Sequence, residues 1–172
     1  GVLPTSRDLS KSINVEIDGA VTANTVKAGG NKDNLVINIA SKEADLNINQ
    51  VHARGDVLLL AGETTDTSAS ILNVAQDDTV ANVQGEAISL IASNTIGTSD
   101  KSVTFNQTNT DKEVDFLSIK DMYLKGLDDA YDTNAGTIIS REGSANIEFS
   151  GNTIIDEITA AKDINVVTRG AA

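Results

Sequence analysis

Apolar and polar residues alternate in short runs along this chain. Ile13-Asn14-Val15-Glu16-Ile17-Asp18 is the first, followed by Leu35-Val36-Ile37-Asn38-Ile39 and Leu46-Asn47-Ile48-Asn49. A period of two puts every second side chain on one face, so each run reads as a half-buried β-strand. The signature returns at 57–61, 87–92, 102–105, 113–116, 121–124, 146–149 and 163–167. No comparable helical run appears: 41–45 offers a single turn at most, and 127–132 is short and acidic. Small clusters of Gly, Asn, Asp and Thr separate the runs, as in Gly29-Gly30-Asn31, Asn109-Thr110-Asp111 and Asn134-Ala135-Gly136. These residues turn the chain at little conformational cost. The hairpin dipeptide Asn-Gly does not occur, which weighs against an antiparallel sandwich.

Self-similarity points to a stacked architecture. Gly55-Asp56-Val57-Leu58-Leu59-Leu60-Ala61-Gly62 matches Gly85-Glu86-Ala87-Ile88-Ser89-Leu90-Ile91-Ala92, each reading as Gly, an acid, then a strand ending in Ala. A looser third copy is Ala161-Lys162-Asp163-Ile164-Asn165-Val166-Val167-Thr168. Degenerate copies at irregular spacing suit coils whose inward positions must stack while their outer loops vary in length.

Composition sharpens this picture. Aromatic residues make up 3% of the 172, with three Phe, two Tyr and no Trp, so the core is built from aliphatic side chains, as in thin repetitive interiors. The 25 acidic residues exceed the 13 basic ones, a formal net charge of −12 that repels phosphate backbones and anionic membranes. No nucleic-acid partner is therefore expected. No membrane insertion is expected either, because no apolar stretch approaches about 18 residues. Cys is absent, which removes disulfides and thiolate chemistry. The one Pro is Pro4, and no linker composition follows it, so 1–172 reads as one continuous unit.

In phrasing, the chain resembles the repeat regions of filamentous-haemagglutinin-like adhesins and related leukotoxin-type exoproteins of Gram-negative bacteria. Coils of that family often run as a Gly-Asp turn, an alternating strand ending in Ala, and a short Ser-Ile or Ile-Gly-Thr element. Here these parts stand as Gly55-Asp56 with the strand to Ala61, Ser70-Ile71-Leu72-Asn73, and Ile88 to Ala92 followed by Ile96-Gly97-Thr98. The match covers 50–105 well and the flanks less well. The resemblance implies an all-β fold, a right-handed parallel β-helix (solenoid) with coils of about 20–30 residues. It also implies a segment of a larger secreted fibre at the bacterial cell surface. Such a segment would attach to a host cell-surface protein or glycan, and its parent would use an outer-membrane secretion partner. Side excursions are expected at 21–30 and around 108–136.

Several residues invite a sharper reading. Arg54-Gly55-Asp56 spells the integrin-recognition tripeptide, which works when displayed on a protruding loop; Gly55 alternatively supplies special backbone angles at strand entry. Asp128, Asp129, Asp132 and Asn134 are candidates for a calcium site, since hard cations gather carboxylate and amide oxygens. Setting Gly136 on the EF-hand glycine, however, puts Tyr131, Thr133 and Ala135 at ligand positions, and 29–33 lacks a Gly of the calcium-binding nonapeptide repeat. No metal or other cofactor is therefore expected. His52 is the only His and has no nucleophile elbow to serve, so no catalytic residue is nominated. Two alternatives remain open: a β-helix polysaccharide lyase or glycosidase, whose carboxylates would line one face, and a β-sandwich binding module.

Overall fold

The computed structural model describes residues 12–29, 35–63, 67–128 and 131–169. The alternating runs become β1 (Ile13–Ile17), β2 (Val21–Ala28), β3 (Ile37–Ser41), β4 (Leu46–Ala53), β5 (Val57–Ala61), β6 (Ile71–Asn73), β7 (Val83–Gly85) and β8 (Ile88–Ala92). They continue as β9 (Val103–Gln107), β10 (Val114–Ser118), β11 (Met122–Gly126), β12 (Thr133–Ser140), β13 (Ala145–Ser150), β14 (Thr153–Ala160) and β15 (Ile164–Arg169). All strand pairs are parallel. One sheet runs β1-β3-β5-β8-β10-β12-β14 and the other β2-β4-β7-β9-β11-β13-β15, with β6 also on β4. Strands adjacent in a sheet thus lie one coil apart in sequence, the arrangement of a parallel β-helix. The sandwich alternative falls with it, because hairpin-linked sheets are antiparallel. The Asp18-Gly19 pair does not make a hairpin either: it joins β1 to β2, which lie in different sheets.

Stacking explains both the repeats and their irregular spacing. In the first sheet Ile13, Ile37, Val57, Ile88, Val114, Ala135 and Ile155 are successive register partners, 24, 20, 31, 26, 21 and 20 residues apart. Two positions on or nearly so, Ile39, Leu59, Leu90, Phe116 and Ile138 form the central buried ladder. Ser41, Ala61, Ala92, Ser118 and Ser140 close the strands, all buried where the chain turns toward the other sheet. In these five coils the corner holds only small side chains, and Ser118 and Ser140 both donate their hydroxyls to the Lys120 carbonyl (2.6 and 2.8 Å). This accounts for the strand-ending Ala of the two repeat copies, whose strands lie directly on one another. The third copy is not equivalent: β15 belongs to the other sheet.

Two expected excursions change. Residues 21–28 are no side loop but β2, paired with β4 from Val21 on Leu46 to Ala28 on Ala53; Gly30 lies outside the described residues. Within 108–136, β10, β11 and the start of β12 remain in the stack, and only the connections between them depart from it. Gln107, 1% exposed, secures the first of these connections by donating Nε2 to the carbonyls of Asn109 (3.1 Å) and Lys112 (2.8 Å).

The core is one continuous cluster through the stack. Its three Phe come together across successive coils, Phe105 lying 5.2 Å from Phe116 and 6.2 Å from Phe149 between ring centroids. On the outside of the first sheet Leu60, Ile91, Leu117 and Ile139 also stack, as a half-buried apolar stripe. At the far end of the stack the inward residues Ile164 and Val166 of β15 are 47% and 36% exposed.

Candidate functional site

The widest step of the ladder, the 31 residues from Val57 to Ile88, marks the largest departure from a plain coil. Its strand in the second sheet is split: β6 pairs with the first half of β4 and β7 with the second. Residues 74–82 leave the sheet between them.

Two asparagines close the neck of this excursion. Asn82, fully buried, donates Nδ2 to Asn73 Oδ1 (3.0 Å) and to the Asn49 carbonyl (2.9 Å). Its Oδ1 accepts the Thr104 backbone N–H (2.9 Å), while the Thr104 hydroxyl accepts the Asn82 N–H (2.8 Å). Asn73 in turn accepts the Ala75 N–H (2.8 Å) and donates to the Ser102 carbonyl (2.9 Å). His52 donates Nε2 to the Ala81 carbonyl (2.6 Å). A buried polar network of this kind holds its backbone in one arrangement, since each broken bond would strand a desolvated group. Thr104, on the outer face of β9, is consequently 6% exposed. At the tip, the hydroxyl and backbone N–H of Thr79 hold the Asp77 carboxyl below its ordinary value of 3.8.

Under the excursion lies a cleft of about 200 Å³ with Asn73 and Thr104 at its base. Asp78 comes from the excursion, Asp100, Lys101 and Ser102 from the turn before β9, and Lys125 and Leu127 from β11 and its end. Lys101 Nζ donates to the Ala75 carbonyl and so braces the excursion against that turn. Among the described residues, the Asp78 and Asp100 carboxylates and the Lys125 ammonium make no ion pair or hydrogen bond. The turn itself depends on Gly97, whose φ is +68° and where a Cβ would stand 2.5 Å from the Tyr123 carbonyl.

Of the residues singled out from sequence, His52 holds the excursion through Ala81 and the others lie elsewhere. Arg54-Gly55-Asp56 forms a stacked corner, not a protruding loop. The Arg54 N–H donates to the Ala28 carbonyl (3.1 Å), the Gly55 N–H to the Leu35 carbonyl (3.0 Å), and the Gly55 carbonyl accepts from Glu86 (2.8 Å). Arg54 is exposed, but Gly55 is buried and Asp56 Oδ1 accepts the Ala87 N–H (3.2 Å). Gly55 also lacks a positive φ. The steric demand sits one coil on, where a Cβ at Gly85 would meet the Gly55 carbonyl at 2.8 Å.

Of the calcium candidates, Asp129 lies outside the described residues. Asp132 accepts the Asn152 N–H (2.8 Å), Asn134 donates to the Thr110 carbonyl (3.1 Å), and the Asp128 carbonyl accepts the Ser150 hydroxyl (3.1 Å). Asp132 repeats a motif of this fold: Asp45, Asp115 and Asp121 likewise accept backbone N–H groups of the next coil, from Ser70, Thr137 and Ser144 (2.7, 2.8 and 2.7 Å). Among the described residues no three His, Cys, Asp or Glu gather as a metal would require. Sequence reasoning missed the cleft, although the lengthened spacing between the two repeat copies was its signal.

Fold and site together define a parallel β-helix rod carrying one braced lateral excursion over a polar cleft. Comparison with protein-family models, with curated proteins and with solved structures finds no match.

Proposed function

We propose that this chain is a structural and adhesive segment of a secreted bacterial surface filament. One observation carries the reading: the described strands stack in parallel, coil upon coil, in two continuous sheets, an architecture that lengthens by adding coils. Repetition of such coils makes a fibre. The phrasing of 50–105, which resembles filamentous-haemagglutinin-like repeats, supports the same reading. The outer faces then meet a host protein or glycan, and the parent chain leaves the cell through an outer-membrane partner. No catalytic role is assigned.

Binding of the purified, fluorescently labelled chain to epithelial cell monolayers tests the proposal. Saturable binding, competed by unlabelled chain, is the expected result. No binding, together with cleavage of a polyuronate panel, would replace the adhesive reading with that of a β-helix lyase.

A further inference from the structure

We infer that the cleft beneath residues 74–82 takes one neutral, hydroxyl-rich ring, a single saccharide unit of a longer glycan. The inference rests on the adhesive reading and gives it a place on the surface.

The excursion is built, not slack. Its neck is locked by Asn73, Asn82 and Thr104, and its inner side is braced by Lys101 on the Ala75 carbonyl. What it encloses remains chemically open: the Asp78 and Asp100 carboxylates offer acceptors, the Lys125 ammonium offers donors, and the Ser102 hydroxyl can do either. A sugar hydroxyl both donates and accepts, so adjacent hydroxyls can bridge a carboxylate and an ammonium at once. These hydrogen bonds are charge-assisted, and they bring no second full charge out of water. A zwitterion fits less well, because pairing exposed charges yields little and each of its own charges must also be desolvated. At about 200 Å³ the cleft is smaller than pockets for drug-sized ligands, which start near 300 Å³ and hold several groups. One ring fills it, with the Leu127 side chain as the apolar contact. Affinity per site is correspondingly low, and many copies along a fibre supply the avidity.

Amide-resolved NMR titration of the full chain tests the inference. The probes are the methyl glycosides of galactose, glucose, mannose and N-acetylglucosamine, with lysine and glycylglycine as zwitterionic comparators. The expected result is a saturable shift with at least one glycoside, confined to amides around 78, 100–104 and 125–127, and weakened at least about tenfold in both Asp100→Asn and Lys125→Ala. Both variants are surface changes whose remaining amide spectrum reports an intact fold. No shift at these amides up to about 50 mM of any glycoside would overturn the inference, as would saturation by the zwitterions alone. Cell binding separates the two proposals. A chain that adheres equally well as Lys125→Ala keeps the adhesive role and loses this site; a chain that binds a glycoside here but no cell does the reverse.

Discussion

Leu90 and Ile91 are neighbours in β8 with opposite placements. Leu90 is fully buried in the ladder between Leu59 and Phe116, whereas Ile91 lies on the outer stripe between Leu60 and Leu117. Leu90→Ala removes packing from a core only one coil wide and is expected to cost about 2–5 kcal/mol in urea denaturation. Ile91→Ala is expected to cost less than half as much, because its side chain is already partly in water. Asp77 provides a residue-scale pH effect. Its carboxyl is lowered first by the Thr79 hydroxyl and then by the Thr79 N–H, so the ionised form is the one favoured by folding. The stability this contributes is present above about pH 4 and is lost as pH falls through the lowered folded value. In Thr79→Ala, a carboxyl-detected NMR titration should show the Asp77 midpoint moving up toward 3.8.

Elements here are held by what happens at their ends. Gly97 joins the short element at Ile96 to the turn before β9, and a side chain there meets both a positive φ and the Tyr123 carbonyl. Gly97→Ala should lower the melting transition by the equivalent of about 1–3 kcal/mol. Gly19, with open space around it and no positive φ, should accept Ala without loss in the same measurement. The excursion neck is a second such place. Asn82→Ala leaves the buried Thr104 N–H without its acceptor, at a cost of about 1–3 kcal/mol. Hydrogen exchange at Thr104 should accelerate in that variant, while β3 and β5 keep their protection.

As a whole the molecule is a one-dimensional stack, so each coil is stabilised by its two neighbours. The middle strands β5, β8 and β10 have a partner on both edges, and their inward side chains are buried. β15 pairs only with β13 among the described residues, and all six of its positions are exposed. Native-state hydrogen exchange should therefore grade along the rod, fastest in β14 and β15 and slowest in β5, β8 and β10, with no single global step. Equal protection throughout would mean that the stack opens as one cooperative unit.

Alternation, the scarcity of large rings and the Gly-acid-strand repeat were enough to read an all-β stacked fold from the residues, because inward positions must be apolar and must recur. They also located most of the strands. They could not locate β2, β12 and β14 as members of the stack, nor the short β6 and β7, which the alternation does not mark. The polar and charged residues in Val21–Ala28, Thr133–Ser140 and Thr153–Ala160 blur the period of two, and it is the neighbouring coil that makes these segments strands. At the candidate sites, spelling in one dimension says little about what each side chain bonds. Arg54-Gly55-Asp56 and Asp132 look like ligand chemistry in one dimension, yet the neighbouring coil takes up their backbone or carboxylate bonds. The cleft shows the converse. Asp78, Asp100 and Lys125 are far apart in sequence and unremarked there, and only the stacking of successive coils beneath a braced excursion brings them to one place.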